Sequence, residues 1–202
     1  MAIQDEDVWS YANKIWGTQQ PLPEEIAKAK QLMAAVPDGL SPVEVAKYFL
    51  NLTDRNADGE RYNAEWKKRS NPLIVGFFSA TDYGDATDET KWCAAFMNWC
   101  LRCAGRKYSN SASSGSFRCF GDVAEVPKEG DIAVFMNEGQ DQPCSGSGHV
   151  AFWMAQKDGN VTVLGGNQGN MVGVKDYPAS AASSNGRPSL ISVRKTPAKA
   201  HP

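Results

Sequence analysis

The chain has 202 residues, is 42% hydrophobic and 22% charged, and carries a net charge of −2 with a pI of about 5.7. That length supports one domain with a full core, or a domain plus an extension. The near-neutral balance gives no electrostatic pull toward nucleic acid or an anionic membrane, and Lys67-Lys68-Arg69 reads as a solvated face. No apolar run approaches the length of a bilayer span.

Residues 1–22 open with an amphipathic pattern (Val8, Tyr11, Ala12, Ile15, Trp16) that breaks at Gly17 and Pro21. The acidic start, Met1 to Asp7, lacks the apolar centre of a signal peptide, so synthesis in the cytoplasm without a cleaved signal is expected. A helix is predicted from Glu24, with Ile26, Ala29, Met33 and Val36 on one face, ended by Pro37-Asp38-Gly39. Ser41-Pro42-Val43-Glu44 then has the form of a capping box with proline at the first helical position. Asn71-Pro72 marks another start, and Leu73–Phe78 fits either a short buried helix or a strand.

Thr90 to Cys103 reads as a helix with Cys93 in its first turn and Gly105 as its stop. Two polar turns before it, 82–85 and 86–89, offer N-cap oxygens. A first-turn thiol faces unpaired backbone N–H groups and the positive end of the helix dipole, which favour its thiolate. After a small-residue loop over 109–116, the pattern changes to strands at 131–135, 149–155 and 161–164. Lys157-Asp158-Gly159-Asn160 is a hairpin signal between the last two, and further strands are expected at 172–177 and 190–193. Helices first and an antiparallel sheet after make an α+β fold.

There are five cysteines, at 93, 100, 103, 119 and 144, so at least one is unpaired within a monomer. Of two histidines, His201 falls in a Pro/Ala/Lys tail, which leaves His149 for the interior. His149 opens a strand just after Gly146-Ser147-Gly148, and the next strand ends in Gly165-Gly166-Asn167-Gln168. Pairing across Asp158-Gly159 brings His149 and the Asn167 region to neighbouring ends of one hairpin. A thiol, a base and an orienting amide in that order have the layout of papain-like cysteine hydrolases. The competing reading is a buried cysteine and a satisfied histidine near a turn.

Four motifs in order, Trp92-Cys93-Ala94-Ala95-Phe96, Gly130–Phe135, Gly148-His149-Val150 and Leu164–Gln168, resemble the CHAP branch of the NlpC-type peptidoglycan hydrolases. The segments Asn71–Phe78 and Ser111–Phe117 resemble the subset found among phage lysins and type VI secretion effectors. The resemblance implies a papain-like domain over 66–195, with a helical extension over 1–65 packed on it and a flexible tail over 196–202. It implies Cys93 as nucleophile, His149 as base and Asn167 as orienting residue, with Gln168 as the alternative for that third role and Trp92 in support. Many CHAP enzymes have an acidic residue where this chain has Gly165-Gly166.

The reaction implied is cleavage of an amide bond in murein stem peptides, by an endopeptidase or amidase that needs no metal and no cofactor. The Cys93 N–H is the expected oxyanion donor, with Thr87, Asp88 and Lys91 as positional candidates for a second. An exported antibacterial effector acting in the periplasm or wall of a target cell would bring a secretion-apparatus partner and an immunity protein. The alternatives are a non-catalytic CHAP-like module that binds wall or protein, and a cysteine amidase with a non-wall substrate.

Three further signals remain. Asp54 to Glu65 satisfies an EF-hand loop pattern, although Arg61 stands where an apolar residue is usual. Cys100-Leu101-Arg102-Cys103 lacks the further ligands zinc needs and reads as helix-packing thiols. Asn51-Leu52-Thr53 and Asn160-Val161-Thr162 match glycosylation sequons, which mean little without a secretory signal.

Overall fold

A computed structural model of the chain describes residues 20–137, 139, 142–180 and 188–199. The amphipathic stretch around Val8–Trp16 and His201 lie outside the described residues. Three helices begin on proline: α1 (Pro23–Ala34), α2 (Pro42–Leu50) and α3 (Pro72–Phe77). Proline there has no N–H to leave orphaned, and its φ is already helical. At α2 the Glu44 carboxylate accepts the Ser41 N–H at 2.7 Å. The Ser41 hydroxyl donates to the same carboxylate, so one half of the expected box is made.

Leu73–Phe77, open between helix and strand, is helical. The Asn71 side-chain oxygen accepts the Leu73 N–H at 2.9 Å and starts the turn. Its amide nitrogen donates to the carbonyls of Tyr62 and Ala64, tying the helix start to the preceding chain. A 3₁₀ turn, Phe78–Ala80, ends the segment.

Helix α4 (Cys93–Cys103) stops at Gly105, whose φ is +66°. The Gly105 N–H returns to Arg102 and the Arg106 N–H to Leu101, each at 2.9 Å. These bonds satisfy carbonyls the helix would otherwise leave open.

Five strands follow: β1 (Ile132–Met136), β2 (Gly148–Lys157), β3 (Asn160–Gly165), β4 (Gly173–Pro178) and β5 (Ser189–Arg194). They form one antiparallel sheet in the order β4-β3-β2-β1-β5. The β2–β3 turn has Asp158 and Gly159 at φ +50° and +74°, the left-handed pair that matches strand twist.

Alternation divides the sheet into two faces. Ile132, Val134, Val150, Phe152 and Leu164 pack under the helices with Trp92, Phe96 and Trp99. Phe49, Phe77, Phe96 and Trp99 meet edge-to-face with ring centroids 5.1–6.1 Å apart. Phe135, Ala151, Trp153, Val163 and Tyr177 form the second cluster. Ala29, Leu32, Val45 and Phe49 of α1 and α2 belong to the same core as α4, so residues 20–65 and the sheet share one interior. In residues 196–199, Thr196 bonds to Asp131 and Gly130, and Lys199 forms a bridge with Arg106.

Arg69 joins this N-terminal layer to the rest. Its guanidinium holds the buried Glu25 carboxylate through two bonds of 2.6 and 3.0 Å, and Asp58 at 2.7 Å. Glu25 also accepts the Leu22 N–H at the start of α1. Arg69→Ala strands that carboxylate and is expected to cost roughly 2–4 kcal/mol, seen as a lower urea midpoint at unchanged slope.

Candidate active site

Cys93 is the first residue of α4, and Trp92 at its N-cap makes no side-chain capping bond. The polar turns before the helix therefore do not cap it. Asp88, which had a positional claim to the oxyanion, is turned inward. Its carboxylate accepts the backbone N–H groups of Trp66 at 3.0 Å and Asn71 at 2.8 Å. The Thr87 N–H is likewise occupied, donating to the Thr90 hydroxyl at 3.0 Å. Lys91 is exposed.

With no side-chain cap, the first-turn N–H groups of Cys93 and Ala94 turn to the thiol, joined by the N–H of Val150 on β2. All three favour the thiolate, as does the charge of Lys91. Burial acts the other way and is larger, so the Cys93 thiol lies above its ordinary pKa. The helix start is electrostatically favourable to a thiolate, yet the resting group is a covered thiol, only 6% exposed. Cys100 and Cys103 are also raised by burial, Cys100 more strongly, without comparable backbone donors.

His149 is the residue before Val150, so Cys93 meets β2 one position along from the imidazole. The ring lies on the second face of the sheet, stacked on Tyr177 at 5.0 Å and flanked by Phe135 at 6.1 Å. Burial among these rings, aided slightly by the charge of Lys175, lowers the His149 pKa to about 4, against the opposing effect of the hydrogen bond that the ring donates to Gln168. The imidazole is therefore neutral at physiological pH.

Gln168, not Asn167, holds that ring, with its Oε1 3.3 Å from His149 Nε2. The amide nitrogen of Gln168 donates to the carbonyls of Val163 and Gly173. With both donors committed to carbonyls, the amide oxygen is the atom that faces the imidazole, and Nε2 must carry the ring proton. Nδ1 is then the unprotonated ring nitrogen. The structure thus brings His149 and Gln168 into contact, sets Cys93 against the adjoining backbone, and leaves Asn167 aside.

Register explains the choice. Lys157 pairs with Asn160, but the ladder shifts between Trp153 and Ala155, so that Phe152 faces Leu164. Continued, that register would set residue 167 opposite 149. The β3 strand stops at Gly165, however, and Asn167, Gly169 and Asn170 all take positive φ. The resulting turn, closed by Gln168 N–H to Met171 O at 2.9 Å, carries Gln168 to the ring. Gly166 permits the fit, because a Cβ there would lie 2.5–2.7 Å from atoms of Trp92 and Phe96.

The segment entering β2 is fastened from one side. A disulfide joins Cys119 to Cys144. Arg118 donates to the Gln142 carbonyl at 2.6 Å and the Ser147 carbonyl at 3.1 Å. Gly115 sits against the Ser145 backbone, where a Cβ would come within 2.2 Å. The small-residue loop thus supports the approach to His149.

The EF-hand pattern over 54–65 folds otherwise. Asp54 pairs with Lys28, and Asp58 with Lys68 and Arg69. Glu60 accepts the Lys67 N–H, and Glu65 bonds to Trp92. Among the described residues no group of three or more His, Cys, Asp or Glu converges on a metal position. None of the helices is long and apolar enough to cross a membrane. A cavity of about 490 Å³ lies elsewhere, beside Lys107, Phe120 and Lys195, and shares no residue with this site.

Residues 82–167 match the family model of the CHAP domain, an interval that contains both Cys93 and His149. Over that interval the chain is similar to the CHAP family. The match to the CHAP family agrees with the resemblance carried by the four sequence motifs. α-Helices first, with the Cys93 helix last among them, and an antiparallel sheet after make the α+β arrangement expected from the sequence. Among solved structures, the chain is similar to an NlpC/P60 family protein from Bacillus cereus ATCC 10987, at 14% identity and a TM-score of 0.40. That match covers 81% of this chain and 41% of the other, so the chain spans less than half of that protein's length. No curated protein matches the chain.

Proposed function

We propose that this protein is a cysteine-dependent hydrolase that cleaves an amide bond in peptidoglycan stem peptides. The observation that carries the reading is that His149, held at Nε2 by Gln168, adjoins Val150, whose backbone N–H acts on the Cys93 thiol. Cys93 at an uncapped helix start supplies the nucleophile and an oxyanion donor together.

In this reading, His149 Nδ1 takes the Sγ proton as Cys93 attacks the scissile carbonyl. The Cys93 backbone N–H donates to the developing oxyanion. The imidazolium then gives its proton to the departing nitrogen as the C–N bond breaks. Water attacks the thioester, His149 receives its proton, and the acid product leaves with the thiol restored. Gln168 keeps the ring in one tautomer throughout. Delivery to the wall of a target cell as a secreted antibacterial effector, with an immunity protein in the producer, extends this reading.

The test is digestion of purified sacculi followed by mass spectrometry of the soluble fraction. New amino and carboxyl termini within stem peptides, or between sugar and peptide, are expected. Intact sacculi with unchanged termini would overturn the reading and leave a binding module or a non-wall substrate in its place.

A further inference from the structure

Given the cysteine-hydrolase reading above, we propose that Glu65 is a positioning residue that sets the spacing between the nucleophile and the His149–Gln168 pair. Its side chain and its backbone reach the two halves of the site separately. The Glu65 Oε1 accepts the indole N–H of Trp92 at 3.0 Å. Trp92 is fully buried and immediately precedes Cys93. Its ring is packed flush against Gly166, two residues before Gln168.

The Glu65 N–H donates to the Asn170 carbonyl at 2.8 Å, two residues after Gln168. Two neighbouring contacts lengthen that seam: Ala64 bridges to Met171, and the Val172 N–H donates to Asn63 at 2.8 Å. The turn carrying Gln168 is therefore stitched to residues 63–65 on one side, while the residue before Cys93 hangs from the same strip on the other.

A merely structural carboxylate is a poor explanation of this placement. Glu65 is half-buried, no cation lies within ion-pair distance of it among the described residues, and its acidic neighbours Asp88 and Glu89 oppose its charge. Its specific gain is the bond to Trp92. Displacing a reacting group by about 1 Å can cost on the order of 100-fold in rate, so a strut with contacts on both sides has leverage over turnover and little over substrate affinity.

The experiment compares Glu65→Ala, Glu65→Gln, Trp92→Phe and the Glu65→Ala/Trp92→Phe pair with the full wild-type chain. Sacculus turnover and the rate of Cys93 alkylation by iodoacetamide are both measured. Glu65→Ala is expected to lower kcat by about 10- to 30-fold with KM within about twofold, and to change the pH profile of alkylation. Glu65→Gln, whose amide oxygen still accepts the indole N–H, is expected to keep activity within about threefold.

Trp92→Phe removes the donor and should match Glu65→Ala, with the double variant no worse than either. Wild-type kcat in Glu65→Ala, additive losses in the pair, or a Glu65→Gln variant as damaged as Glu65→Ala would each overturn the proposal. If Glu65→Ala fails to fold, Trp92→Phe compared with wild type and with Glu65→Gln carries the same test. Alkylation does not depend on the substrate. A wild-type protein that leaves sacculi intact therefore refutes the wall-hydrolase reading, while the alkylation rates still decide the role of Glu65.

Discussion

Cys93→Ala is expected to reduce muropeptide release from sacculi by a factor of roughly 10⁴ or more, since removing a nucleophile removes the covalent route altogether. Stability should change by only about 1 kcal/mol, because alanine fits the buried position at the start of α4 without leaving a charge or a large cavity. Mass spectrometry of the soluble fraction and a urea melt separate loss of chemistry from loss of fold. Residual digestion within about tenfold of wild type would remove Cys93 from the mechanism.

The same thiol should show itself chemically. Of the three free cysteines, Cys93 alone has backbone N–H groups from two elements directed at it. Iodoacetamide is expected to label Cys93 ahead of Cys100 and Cys103, at a rate that climbs through neutral into alkaline pH because burial raises the thiol.

The imidazole sets the other limb. A base must be unprotonated, and with His149 lowered to about 4 the acid limb of kcat/KM belongs near pH 4 and not near 6.5. Stability follows the same sign. The folded pKa is depressed below the unfolded one, so the stability present above about pH 6.5 is lost as pH falls toward 4.

How far such a site can be read before folding depends on whether its determinants are local. The end of the Cys93 helix is legible because Gly105 supplies the left-handed stop. The β2–β3 hairpin is legible because Asp158-Gly159 needs no partner to choose its turn. The apparent calcium loop misleads for the opposite reason. Lys28, Lys68 and Arg69, which take up Asp54 and Asp58, are separated from the loop in sequence or follow it without any metal-like spacing.

The pairing of Cys119 with Cys144 is equally hidden, since five scattered cysteines define no connectivity until the loop before β2 is folded. The missing cap at Trp92 belongs with these. Whether Asp88 reaches the helix start or the backbone of Trp66 and Asn71 is decided by packing of the N-terminal layer, not by its distance from Cys93 along the chain.

Gln168→Ala is expected to lower kcat by roughly 100-fold or more, whereas Asn167→Gly should stay within about threefold of wild type. Counting residues back from the Asp158-Gly159 turn cannot separate the two positions, because a single register shift at Met154 exchanges them. Their structural roles differ completely. Asn167, at φ +56°, serves the backbone, and glycine adopts that conformation at no steric cost. Gln168 serves the imidazole, and without its amide the ring can take either tautomer and rotate against Tyr177. Loss should therefore appear in kcat with KM nearly unchanged, accompanied by an acid limb displaced from the wild-type position as the His149 surroundings loosen. Equal losses at both positions would assign the effect to the turn as a whole, and a larger loss at Asn167 would transfer the orienting role to it.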